Sequence, residues 1–201
     1  MKDYEGSIED NVKAIELNPK SDTAYNNKGA AELGLKKYEE TIQDCNKEIE
    51  LNPKFAQAYN NRAIAKNALK DFHGAIQDCN KAIELNPQLA NAYFIRGDSK
   101  NILEDYYGAI QDCNKAIELN PKSFLAYCDR GYAKLKLKYF NGSLEDNNKS
   151  IELNPNHALA YNNRGVVKNN LGDKKGACLD WSKAGELGYT KAYDNINKYC
   201  K

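Results

Sequence analysis

The chain lacks most of the features that would announce a function. None of its 201 residues forms the run of about 18 apolar residues that a membrane span needs, and the opening Met1 to Asp10 stretch has no apolar secretory core. It therefore reads as soluble and cytoplasmic, with no membrane partner. Lysine and arginine number 29 against 28 aspartates and glutamates, so the chain as a whole offers no footprint for a polyanion, and nucleic acid is not an expected partner. There are two histidines, His73 and His157, and neither has a cysteine or histidine at metal-ligand spacing, so no metal site is expected. No glycine-rich loop follows a strand, and the carboxylates do not converge as an isolated pair. No catalytic residue and no cofactor are expected, and the chain does not read as an enzyme.

Proline is scarce too, and its placement is informative. All five prolines (Pro19, Pro53, Pro87, Pro121, Pro155) end a Glu-Leu-Asn-Pro tetrapeptide, and neighbours lie 34 residues apart throughout. A fixed period of this length marks a repeated building unit, and 34 residues hold two short helices and two turns. The pattern breaks at each proline and again near "LGLKKY", "ALKDF", "ILEDYY", "KLKYF" and "NLGDKK". The first unit predicts a helix from about Thr23 to Leu35 and a second from about Tyr38 to Leu51. Ala24, Ala31 and Leu35 share one face, and Ile42, Cys45 and Ile49 share another. Small residues recur where the paired helices must touch: Gly29, Ala63, Gly97, Gly131 and Gly165 on the first, Thr41, Ala75, Ala109, Ser143 and Ala177 on the second. Another small series, Ala14, Ala82, Ala116, Ser150 and Ala184, marks contact between units, and Glu48 interrupts it.

Tyr93, Arg96, Gly97, Lys100, Ala109, Cys113 and Pro121 stand at the spacing W-x2-L-G-x2-Y, A-x3-F, P, by which the chain resembles the tetratricopeptide repeat family. The resemblance implies an all-α fold, a right-handed solenoid of antiparallel helical hairpins. It divides residues 1–201 as one array: a half repeat at 1–21, full repeats at 22–55, 56–89, 90–123, 124–157 and 158–191, and a capping helix at 192–201. Arginine stands where the family prefers leucine, and lysine where it prefers tyrosine.

The same resemblance implies a concave groove lined by the first helices and open to a protein or peptide ligand. Its frame turns Asn26, Asn27, Asn60, Asn61, Asn162 and Asn163 to the groove, where amides could match a peptide backbone. Between them it places Ile64, Phe94, Ile95, Leu125, Cys128, Tyr132 and Leu135, with Asp98 and Asp129 as acidic company. The family's carboxylate clamp for acidic tails is disfavoured, because its places hold Asn60, Ile64, Ile95, Leu125 and Asp129. The expected ligand is an extended segment with an apolar side chain near Phe94 and Tyr132 and a basic one near Asp98 and Asp129. A second function class stays open: a self-assembly module docking through the N-terminal half repeat or the convex face. Tyr4 to Pro19 matches Tyr139 to Pro155, a second helix without its own first helix, so the chain reads as part of a longer array or as covered there by another molecule.

Cys45, Cys79 and Cys113 recur at 34-residue intervals, too far apart on stacked hairpins for disulfides, and read as small core residues. Cys178 reads the same way. The charges suggest a second ladder, pairing Asp44 with Arg62, Asp78 with Arg96, Asp112 with Arg130 and Asp146 with Arg164 across successive units.

Overall fold

The computed structural model describes residues 3–200, among which every regular element is an α-helix. In chain order these are α1 (Tyr4–Leu17), α2 (Asp22–Gly34), α3 (Tyr38–Leu51), α4 (Ala56–Ala68), α5 (Phe72–Leu85), α6 (Ala90–Ile102), α7 (Tyr106–Leu119), α8 (Phe124–Lys136), α9 (Phe140–Leu153), α10 (Ala158–Asn170), α11 (Lys174–Glu186) and α12 (Ala192–Tyr199). The helices fall into two compact units, Met1–Leu103 and Glu104–Lys201. The first holds α1, the hairpins α2/α3 and α4/α5, and α6. The second holds α7, the hairpins α8/α9 and α10/α11, and α12. Consecutive helices pack against each other within each unit, and first helices also meet first helices, α2 with α4, α4 with α6, and α8 with α10. The fold is an all-α solenoid of helical hairpins. No helix among the described residues is long and apolar enough to cross a membrane.

Local chemistry sets where each helix starts and stops. Asp3, Asp71, Asp105 and Asp173 cap second-type helices, each carboxylate accepting from the N–H of the glycine three residues on (Gly6, Gly74, Gly108, Gly176) at 2.8 to 3.0 Å. A Cβ at those glycines would lie inside the capping carboxylate, so glycine keeps the cap in reach. At the other end the asparagine of Glu-Leu-Asn-Pro folds back on the chain. Asn52, Asn86, Asn120 and Asn154 each accept from the N–H two residues on, at 3.0 to 3.3 Å, while the intervening proline has no N–H with which to continue the helix. The turn inside each hairpin needs one residue with positive φ. Lys36, Lys70 and Lys138 take φ of 61 to 67°, and only in the last hairpin is the position glycine, Gly172.

The core is built from small side chains. Ala58, Ala63, Ala65, Ala75, Cys79 and Ala82 are fully buried in the first unit, and Ala126, Ala133, Ala160, Ala177 and Ala184 in the second. Where the first helix carries glycine, the paired helix uses the room: Ser143 donates to the Gly131 carbonyl at 2.6 Å, and the Trp181 ring lies on Gly165. A Cβ at Gly165 would sit 2.6 Å from Trp181 Nε1 and 3.1 Å from the Ala177 carbonyl. Gly165→Ala should therefore lower stability by about 1 to 2 kcal/mol, because overpacking against a rigid ring outweighs the gain of about 1 kcal/mol in helix propensity. A lower urea midpoint would show it, and an unchanged or raised midpoint would contradict it.

The expected charge ladder forms in a different register. Arg62 pairs with Asp78, Arg130 with Asp146 and Arg164 with Asp180, each bidentate through Nε and Nη2 at 2.5 to 3.0 Å, within one hairpin. Asp44 takes Lys28 instead of Arg62, at 2.6 Å. Lys66, Lys134 and Lys168 join the same aspartates at 2.7 to 2.8 Å. The arginines do link successive units, but through Nη1 to an asparagine of the preceding helix: Arg62 to Asn46, Arg96 to Asn80, Arg130 to Asn114 and Arg164 to Asn148, at 2.6 to 2.8 Å. Each of these guanidinium groups lies over the ring of the tyrosine three residues earlier, 5.3 to 5.5 Å from its centroid.

Cys45, Cys79 and Cys113 are buried thiols, as expected of core residues. Cys178 departs from that reading: it forms a disulfide with Cys200, Cα to Cα 5.8 Å.

Candidate functional site

The candidate site is the face of the first helices that is not committed to their own hairpin partners. In the first unit it runs over α2, α4 and α6. Ile64 on α4 and Phe94 on α6 are partly buried, packed against a cluster of Ala63, Ala75, Cys79 and Ile95. Asp98 is half-buried beside them; its carboxylate accepts from Asn67 Nδ2 at 3.2 Å, and burial raises its pKa against that hydrogen bond. Ile95 is 9% exposed and belongs to the core, which corrects its reading as a groove residue.

The asparagines are placed differently from the expectation. Asn60, Asn61, Asn162 and Asn163 are buried, and their amides are used inside the protein. Asn61 donates to Asn26 Oδ1 at 3.4 Å and accepts from Gln57 at 2.8 Å, and Asn91 donates to Asn60 Oδ1 at 3.4 Å. In the second unit Asn195 donates to Asn162 Oδ1 at 3.2 Å, and Asn163 donates to the Cys128 sulfur at 3.6 Å. An amide has both a donor and an acceptor, so it can serve the neighbouring first helix as well as a peptide. The ladder stitches first helix to first helix. Asn26 is half-buried in that ladder, whereas Asn27 is exposed. With Asp3, Tyr4, Ser7, Asn11, Ala30 and Ala31 it lines a cleft of about 500 Å³ between α1 and α2.

In the second unit the site runs over α8 and α10. Leu125 is 40% exposed, and Tyr132 and Asp129 are half-buried. Cys128 is fully buried, which corrects its reading as a groove-lining thiol; burial pushes its pKa up, with the Asp129 carboxylate adding to the effect. Sequence reasoning missed the group around Tyr132. Its ring meets Tyr106 edge-on with centroids 6.3 Å apart, and Lys136 Nζ stands 5.7 Å from the Tyr132 ring centre and 5.8 Å from that of Tyr106. The i to i+4 spacing of Tyr132 and Lys136 was the available signal.

Among the described residues no group of histidine, cysteine or carboxylate side chains is arranged to hold a metal ion. The exposed chemistry is apolar, aromatic and charged.

Comparison with known proteins agrees with the architecture. Tetratricopeptide repeat models match residues 22–55, 56–89, 90–123 and 147–178. No curated protein matches the chain. Among solved structures, the chain is similar to YrrB, described as a tetratricopeptide repeat protein with an unusual peptide-binding site, at 21% identity and a TM-score of 0.73, covering 93% of this chain and 97% of that one. It is also similar to MamA (residues 41 to the end) from Desulfovibrio magneticus RS-1, at 20% identity and a TM-score of 0.72, with 84% and 96% covered. A third is a thermophilic tetratricopeptide repeat protein from Thermus thermophilus, at 15% identity and a TM-score of 0.68, with 90% and 97% covered. At these identities the likeness is one of fold. With its 34-residue hairpins, small-residue contacts and four matched repeats, the chain belongs to the tetratricopeptide repeat family.

Proposed function

We propose that this chain is a protein-binding scaffold that grips an extended peptide on its first-helix faces. The observation that carries the reading is the apolar surface left partly open there: Ile64 and Phe94 in the first unit, Leu125 and Tyr132 in the second. Half-buried aromatic rings on a rigid helical base are the residues that dominate interface energies. Asp98 and Asp129 would favour a basic side chain in the ligand, and Lys136 beside Tyr132 would accept an acidic one. Asn27 supplies a backbone contact, while the buried asparagines do not. The peptide-binding site in the description of YrrB supports the same function class.

The test is a display screen of random 15-residue peptides against the chain. Phe94→Ala should weaken peptides held on the first unit, and Tyr132→Ala those held on the second, by about 2 kcal/mol, close to thirtyfold. Because Phe94 also packs on the core cluster, circular dichroism must show that each variant is folded. Selected peptides that bind the folded double variant as tightly as the parent would remove these faces from the reading.

A second reading rests on α1. None of its residues is buried, and Val12 and Leu17 are 37% and 88% exposed. These exposed apolar side chains support docking with a further copy or another chain. Sedimentation over a range of concentrations, compared with a Val12→Asp, Leu17→Asp variant, separates it from peptide binding.

A further inference from the structure

Four of the six cysteines are buried thiols in the described structure, and the remaining pair joins the last two helices. Cys178 lies on α11 and Cys200 caps the end of α12; both are half-buried. The helix they tether is only eight residues long, too short to hold its shape without tertiary support. Besides the disulfide, α12 is held by Tyr199 stacked on Trp181 (centroids 5.6 Å apart), by Tyr193 against Gly185, and by Asn195 on Asn162. Beneath it Trp181 is 1% exposed, and its indole N–H is buried without an acceptor. That N–H edge faces Gly165 of α10, so what α12 covers is the ring face on which Tyr199 stacks.

We propose that the Cys178–Cys200 disulfide is a redox latch on α12, and that its reduction releases the helix and uncovers the Trp181 face of α11. The co-reactant is an external dithiol. The S–S bond breaks, Cys178 and Cys200 take up two electrons and two protons to become thiols, and the dithiol closes to its own disulfide. The other thiols stay out of the exchange because they are buried, and burial keeps the Cys45 pKa up at about 12 and that of Cys128 well above an ordinary thiol.

Trp181 is the chain's one tryptophan, so it reports the latch directly. Treating the native full chain with dithiothreitol should increase acrylamide quenching of its fluorescence by roughly threefold or more, as local release of a terminal helix bares the ring. Far-UV circular dichroism should change by no more than the eight residues of α12. Native-state alkylation should then modify Cys178 and Cys200 alone, and Cys200→Ser should behave as the reduced chain without any reductant. Quenching that is unchanged by reduction, a closed Cys200→Ser variant, free thiols at both positions in the untreated chain, or helix loss across the whole chain would each overturn the latch.

Discussion

Replacing Glu48 by alanine should make the protein more stable, and increasingly so as the pH rises. Glu48 stands in the small-residue series that holds Ala82, Ala116 and Ala184 elsewhere, yet it is 1% exposed and its Oε2 is buried without a partner. Burial raises its pKa to about 8, with the Asp22 and Asp44 carboxylates adding to the rise. The folded state then binds its proton more tightly than the unfolded chain. Stability is fully present below the unfolded value near 4.5, falls as the pH rises toward 8, and levels off above it. At about 1.4 kcal/mol for each pH unit separating the folded and unfolded values, the loss approaches about 5 kcal/mol, and a relaxing site would reduce it to about 3. Glu32, raised to about 7 mainly by burial and pressed by Asp44 while Lys28 opposes, contributes a smaller fall over a lower window. Urea unfolding at pH 5 and pH 9 should show the parent losing several kcal/mol and Glu48→Ala losing clearly less. An alanine variant with the parent's pH slope would show that Glu48 finds water or a cation when it ionises.

Asp146→Ala should have the opposite sign and a similar size. The carboxylate side chain is 4% exposed and holds both Arg130 (18%) and Lys134 (22%). Removing it strands two partly desolvated cations against one face of α9, and breaking such a group costs about 3 to 5 kcal/mol. The comparison is Glu152→Ala, which removes the exposed Lys149 partner at 2.6 Å and should cost less than about 0.5 kcal/mol. Equal losses in the two variants would mean that the buried triad is no stronger than a surface pair. Added salt should weaken the triad little, since partly buried pairs are poorly screened.

Repetition made the architecture legible. Pro19 to Pro155 set the period, and the predicted second helix, Tyr38 to Leu51, coincides with α3, while the first runs Asp22–Gly34, one residue earlier at each end than Thr23 to Leu35. Proline and the asparagine before it act through the local backbone, which a sequence shows directly. The charge ladder was legible only in part of its membership, since Asp180, the partner of Arg164, was not among the expected aspartates. Arg130 and Asp146 lie 16 residues apart within one hairpin, and Asp112 and Arg130 lie 18 apart across two, so counting alone could not choose between them. Helix rotation decided, and it depends on how the helices pack: Arg62, beside Ala63, and Arg130, beside Gly131, both reach the aspartate of their own hairpin. The same dependence hid the fate of the asparagines. A face that the period marks as first-helix surface becomes interior once the next first helix lies on it, and Asn61 meets Asn26 there. Cys178 and Cys200, 22 residues apart, fall outside the 34-residue rhythm and carried no periodic signal.

The sequestered thiols have a consequence for how the molecule is made. Six cysteines offer 15 different single pairings in an unstructured chain, and neither length nor composition favours the one between residues 178 and 200. Cys45, Cys79, Cys113 and Cys128 leave the competition only once their hairpins have assembled around them. Order of events therefore selects the product. A chain that meets oxidant after its helices have stacked leaves Cys178 and Cys200 only each other as a partner, whereas one that meets oxidant while still unfolded is open to mispairing that the finished structure could not accommodate.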